Sequence, residues 1–462
     1  MKKRIISIFI ILIFAVSLAG CGCQEPTIKI GLRLEVWGVN DDADSYEEIF
    51  KNYVKINPRV KQIAYRKFSA DTYKQELIDA LASGKGPDIF MINSTWEPSF
   101  RNKIVPAPAE IISEKMYRDN FVDLASDAFI VQGKIYAAPL SVDSLALYYN
   151  KDLFAEAGIA TPPKTWDNLV SLIPSLTKID SNGQVKQSAI AMGTAYNINR
   201  STDILGLLML QEKTQMTERD GEKILFTGDG EGIAPAVKAL QFYTDFAKRS
   251  SNAYTWNSGL HWSLDAFAEG SVAMMLNYSW HMETIRSKSP KLNFTVAAVP
   301  QIPDYPKVDF GNCYGYVVAL NKKPEIIGAE PGKATVKDQS RINETWKFLK
   351  YLTLGSTDSN SAVVKESDLT GKFNEGLNPT RVYLENTNKP AARKDLIDSQ
   401  KDTYELGVFA QQNLIARSWK QIAPDAIEVI MGEMIDDVNR GKALAGDAIK
   451  TTVTRISQAI KK

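Results

Sequence analysis

The stretch Ile28–Ile92 decides the fold. It opens with IKIGLRLEVW at residues 28–37, an apolar, β-rich run that reads as a strand. Ser45-Tyr46-Glu47-Glu48 has the form of a capping box, with a helical stripe of Ile49, Phe50, Tyr53 and Val54 behind it. Asn57-Pro58 stops that helix, because proline disfavours helical geometry in the residue before it. Val60 to Tyr65 reads as a second strand. Asp71 is expected to cap a second helix carrying Leu77, Ile78 and Leu81 and ending near Gly84, and Ile89-Phe90-Met91-Ile92 forms a short buried strand. Strand and helix alternate, which implies an α/β sheet. Ligands of such sheets sit beyond the carboxyl ends of strands. Trp37 and the segment Asn93-Ser94-Thr95-Trp96 are expected just there.

N-terminal to this stretch, Met1-Lys2-Lys3-Arg4 is a basic end, Ile5 to Ser17 an uncharged apolar run, and Leu18-Ala19-Gly20-Cys21 a small-residue step into a cysteine. That order is a signal peptide, and the run is short for a membrane span of about 20 residues. Leu-Ala-Gly-Cys resembles the bacterial lipobox, which implies cleavage before Cys21 and lipid on its thiol. The expected divisions are residues 1–20 as signal peptide and 21–27 as lipidated tether, with the protein on the outer face of the cell membrane or facing the periplasm. The chain has 55 basic and 54 acidic residues; without Lys2, Lys3 and Arg4 the balance is 52 to 54. With no long basic run left, a nucleic-acid surface is not expected. Of three cysteines, Cys23 lies beside the anchor and Cys313 far along. A disulfide between them is open, but a buried free Cys313 is the preferred reading.

Further on, Gly84-Lys85-Gly86-Pro87-Asp88-Ile89, Gly133-Lys134-Ile135-Tyr136-Ala137-Ala138-Pro139, Tyr148-Tyr149-Asn150-Lys151-Asp152-Leu153-Phe154, Pro162-Pro163-Lys164-Thr165-Trp166 and Ala266-Phe267-Ala268-Glu269-Gly270-Ser271-Val272-Ala273-Met274 follow one another in order. Each also has a plain structural role: Asn150 starts a helix, Thr165 caps one, and Gly270 ends one. In order and spacing together they resemble the bacterial extracellular solute-binding proteins of the sugar-binding class, with Ala137 where glycine is usual. The resemblance implies an α/β, two-lobe periplasmic-binding-protein fold of type II, hinged, with several chain crossovers. Lobe 1 is expected over residues 28–144 and 305–354, and lobe 2 over 145–304 and 355–462. The crossings would fall near Asp143 to Leu145, Val299 to Gly311, and Leu354. It further implies a monomeric, lipid-anchored receptor that hands a carbohydrate to the membrane permease of an ABC importer.

Sugar recognition needs flat aromatic faces against C–H groups and planar polar groups for hydroxyls. Trp37, Trp96, Trp256, Trp262, Trp280 and Trp419 fall in or near expected loops; Trp166 and Trp346 sit on helical stripes and read as core. Asn40, Asp41, Asn93, Glu97, Asp143, Asn277, Asn312, Tyr314 and Arg417 are the polar candidates. No cofactor or metal is expected. His261 and His281 are the only histidines, too few for a histidine-rich zinc site. The adjacent Tyr148 and Tyr149 point to opposite faces of a strand, against an iron-binding pair. Gly311-Asn312-Cys313-Tyr314-Gly315 has the form of a nucleophile elbow, but a strand, not a helix, is expected after it. Asp180-Ser181-Asn182-Gly183 lacks the distal glutamate of a calcium loop. A glycoside hydrolase, needing two carboxylates about 5–10 Å apart, and a surface lipoprotein without transport function are the alternatives.

Overall fold

The computed structural model describes residues 31–218, 221–228, 232–328, 338–355 and 377–461. The expected signal peptide, Cys21 and Cys23 lie outside them. Along the chain come strand β1 (Gly31–Val39), helix α1 (Asp44–Ile56), β2 (Val60–Phe68), α2 (Ala70–Ala82), β3 (Ile89–Asn93), β4 (Ala138–Ser144), β5 (Ala146–Asn150), β6 (Val185–Ile190) and α3 (Ser201–Gln211). Then follow β7 (Val272–Asn277), β8 (Phe294–Ala297), β9 (Asp309–Ala319), α4 (Asp338–Leu354), α5 (Pro379–Thr387), β10 (Ala416–Arg417), α6 (Pro424–Asn439) and α7 (Ala445–Ala459).

These elements build two sheets. In the first, β1 runs parallel to β2 and β3, β3 pairs antiparallel with β9, and β9 also carries β4 and β10. In the second, β8, β5, β7 and β6 lie side by side. Each sheet has its own apolar core. Leu34, Ile89, Phe90, Tyr117 and Val142 belong to the first; Leu145, Tyr148, Leu205, Met274 and Ile435 belong to the second. Two cores are what two α/β layers require, since each sheet face must bury its apolar side. The strand β9 serves both: Phe310 belongs to the second core and Cys313 to the first. Gly206 in α3 lets that strand close in, since a Cβ there would lie 2.9 Å from the Phe310 ring.

Several local expectations change. Helix α1 starts at Asp44 behind Ala43, with no side-chain cap, so Ser45 lies in its first turn rather than before it. Asp71 likewise sits inside α2, whose N-cap is Ser69. Asn150 and Thr165 do cap: the Asn150 side chain accepts from Asp152 N and Leu153 N, and Thr165 Oγ1 from Asn168 N. The polar stretch Gly355–Pro390 contains a helix, α5. Residues 379–397 also depart from the division that put 355–462 in lobe 2, because Tyr383, Leu384, Ala391, Leu396 and Ile397 pack in the first core. The reason is polar. Buried Asp41 accepts hydrogen bonds from Tyr46 and Tyr383 and pairs with Lys389, and Thr380 Oγ1 donates to Leu352 O. Asp41 is therefore a structural knot.

Cys313 is a free, buried thiol, raised well above its usual pKa by burial. The segment Gly311–Gly315 lies wholly inside β9, so no elbow forms. Tyr148 is buried and donates to Tyr278 O, whereas Tyr149 is half-exposed on the other face.

Candidate functional site

A cavity of about 170 Å³ lies between the two cores. Its first wall comes from the strands β3 and β9. Asn93 ends β3, opposite Tyr314 of β9. Asn312 and Tyr314, two apart on β9, are half-buried, while Cys313 between them faces the core, following the two-residue period of a strand. Asn93 Nδ2 donates to Asn312 Oδ1 at 2.9 Å, and Asn93 Oδ1 caps the following turn by accepting from Thr95 N. That turn carries Trp96, whose ring stands edge-on to Tyr314 at 6.4 Å. The two amides thus fix one another, and two aromatic rings stand beside them.

The second wall comes from helix starts. Arg200, Thr202 and Asp203 lie at the start of α3, and Pro424, Asp425 and Glu428 at the start of α6. Neither helix start has a side-chain cap, so the N-cap side chain leaves the first-turn N–H groups unsatisfied. Arg200 is held at φ 67°, a left-handed conformation that costs a non-glycine residue about 1–2 kcal/mol. Its guanidinium lies 5.6 Å from the Tyr278 ring centroid and 5.5 Å from that of Trp280, and among the described residues its Nε has no hydrogen-bond partner. Tyr278 and Trp280 stack at 4.6 Å, and Tyr278 donates its hydroxyl to Asp203 Oδ2. Burial pushes the Asp203 carboxyl up, opposed by Arg200. Burial and then Arg200 push the His281 imidazole down to about 4, so it is neutral at pH 7. Strain and an unsatisfied donor in one residue mark a position shaped for something outside the chain.

Of the candidates read from sequence, Asn93, Trp96, Asn312, Tyr314 and Trp419 line this cavity. Trp419 is buried against Phe226 and also borders a second cavity of about 300 Å³. Trp280 is 43% exposed and reaches the site through Arg200. Asp143, opposite Asn312 in β4, accepts from Ser279 N and Oγ behind the wall; burial pushes its carboxyl up to about 7.

The remaining candidates lie elsewhere. Trp37 is inside β1 rather than after it, buried against Phe68 with its Nε1 donating to Glu35. Glu97 is buried and paired with Arg101. Trp256 is fully buried and donates to Asn197. Asn277 is buried at the end of β7, accepting from Tyr278 N. Asn40 is exposed in a left-handed turn. Trp262 borders a separate surface hollow with His261 and Lys288. Arg417 is tied to Asp123 at 2.9 Å. Sequence reading missed Arg200, Asp203 and Glu428. Among the described residues no cluster of His, Cys, Asp or Glu could hold a metal, and no helix is long and apolar enough to cross a membrane.

Two lobes enclosing a polar, aromatic cleft is the architecture of a binding protein that closes on its ligand. The chain belongs to the family of bacterial extracellular solute-binding proteins, whose model matches residues 39–354. Membership places it among solute receptors rather than enzymes. A relative in Brucella abortus, described only as a binding protein, is 22% identical over 423 residues, 90% of each chain. The maltotriose-binding protein of Pyrococcus abyssi is 24% identical over 71% of this chain and 62% of its own. The fold matches the cyclic α-maltosyl-1,6-maltose binding protein of Arthrobacter globiformis with a TM-score of 0.70 at 18% identity, over 93% of this chain and 99% of that one.

Proposed function

We propose that this chain captures a carbohydrate, an oligosaccharide or sugar derivative, between its lobes and delivers it to the permease of an ABC importer, held at the membrane by lipid on Cys21. One observation carries the reading. The cleft combines aromatic faces (Trp96, Tyr314, Trp419) with planar polar groups of both signs and of none (Arg200, Asp203, Asn93, Asn312). Such a set suits a neutral polyhydroxyl solute. Each hydroxyl both donates and accepts, and the C–H faces lie against rings. Relatives named for maltotriose and diacetylchitobiose support the same class.

The test is a thermal-shift panel of neutral oligosaccharides, maltotriose and diacetylchitobiose included, with the products analysed by mass spectrometry. A binder gains about 2.7 kcal/mol of stability at a hundredfold excess of ligand over Kd. No shift across the panel, or turnover of any sugar, sinks the reading. The anchor is tested separately by the mass of the mature N-terminus and by release into the medium of Cys21→Ser. An intact, unlipidated Cys21 removes that part alone.

A further inference from the structure

A charged pair joins the two walls at the edge of the cleft. Lys74 lies on α2, whose neighbouring Tyr73 and Leu77 belong to the first core. Asp425 lies in the first turn of α6, whose Ile427 and Ile430 belong to the second. Lys74 Nζ stands 2.7 Å from Asp425 Oδ2, and 5.3 Å from the Trp96 ring centroid. Asp425 and Trp96 both line the cleft, and the Asp425 side chain is 83% exposed. The pair therefore sits at the rim. The Arg417–Asp123 pair does not bridge the cores, since the neighbouring Ala416 and Leu124 both belong to the first. Arg417 is on β10, in register with Phe310 of the shared strand β9.

We propose that Lys74 and Asp425 form a latch, an ion pair made only when the lobes are together, which slows release of the solute held beside Trp96. The physical basis is differential stabilisation. A contact present in the closed state and absent in the open one shifts the equilibrium by its own free energy. Because both partners meet solvent, the shift is modest and falls with salt. The inference rests on the inter-lobe cleft being the solute site, as proposed above.

The experiment reads the lobes without a ligand and then with one. Paired non-cysteine spin labels, one on each lobe, report the closed-to-open ratio by pulsed electron resonance. Lys74→Glu and Asp425→Lys, each alone, are expected to lower that ratio about two- to fivefold at low salt. Combining the two exchanges restores the pair with reversed sign. It should bring the ratio back, although the cation over Trp96 is then gone. Singles that leave the ratio unchanged, or a double exchange that stays as open as the singles, overturn the latch whatever the protein binds. With maltotriose as probe, dissociation should quicken by the same factor in the singles. If maltotriose does not bind while the ratio still responds, the latch stands and the choice of sugar fails.

Discussion

The two walls of the cleft are built in opposite ways. The first presents strand residues: Asn93 closing β3, and Asn312 and Tyr314 within β9. These groups are fixed by hydrogen bonding along and between strands before any solute arrives. The second presents helix starts, with Arg200 and Asp203 at α3 and Asp425 and Glu428 at α6. There the orienting forces are a strained backbone, a stacked guanidinium and uncapped helix ends. The first wall reads as a rigid platform, the second as the side that trades stability for contact. The contrast can be broken by experiment.

The largest effect should fall on the platform. Trp96→Ala removes an aromatic face from the cleft without entering either core deeply. Binding of the solute is expected to weaken by about 1–3 kcal/mol, measured by calorimetry, with the melting temperature nearly unchanged. Trp280→Ala is expected to fall at the lower end of that range, because Trp280 reaches the site only through Arg200. Unchanged affinity in both would remove the aromatic basis of the site.

The next effect should appear with the opposite sign on the second wall. Arg200→Gly relieves the left-handed strain, so chemical denaturation should show a gain of up to about 1 kcal/mol, while affinity drops. A variant that loses both stability and affinity would show that the guanidinium stack outweighs the strain and that no trade is being made.

The smallest effect concerns what ties the walls together. Asp143, on β4 of the first sheet, accepts from Ser279, just beyond β7 of the second. Its carboxyl is raised from 3.8 to about 7 by burial, which outweighs the bonds from Ser279 and the charge of Lys389. Below about pH 4 it is protonated in the folded and the unfolded chain, and its contribution is fully present. Between pH 4 and pH 7 the unfolded chain releases that proton and the folded one keeps it, so stability falls as pH rises and is lost above about 7. Asp143→Asn should flatten that slope in a series of melts from pH 4 to 8. Only part of the slope will go, because Asp203 and Asp309 are raised as well. An identical slope in the variant would show that Asp143 stays ionised.

The same contrast explains what the sequence disclosed. Alternating strands and helices over 28–92 were legible because apolar periodicity is local. The first wall was legible because functional groups at strand ends follow a short apolar run, as Asn93 follows Ile89–Ile92. Arg200 was not legible: nothing in Asn199-Arg200-Ser201 shows a positive φ, since that conformation is imposed by tertiary packing. Glu428 lies on an ordinary helical surface and gains a role only from what α6 faces. Trp37, Glu97 and Trp256 misled for the reverse reason. A loop or strand end in sequence is often buried in space, where a tryptophan or a paired carboxylate is filling the core. The third chain crossing was placed too early, near Leu354, because the bonds of Asp41 to Tyr383 and Lys389 join residues more than 300 positions apart.

The strand β9 also bears on the order in which this molecule can be assembled. Its residues 309–319 pair with β3 and with β4 in the first sheet, yet every strand of the second sheet lies within residues 146–297. In a chain made from its N-terminus, the earlier half emerges first and waits, with an unfilled seat between β3 and β4. The strands of the second sheet can pair among themselves meanwhile, although the helices that finish its core, α6 and α7, come later. Hydrogen-exchange pulses during refolding should find amides of 146–297 protected ahead of those of 89–93, and the reverse order would refute this. Between those two moments the exposed edges of β3 and β4 are open to pairing with another chain. The strand that joins the two cores in the finished protein is thus also the one on whose arrival the first sheet's closure depends.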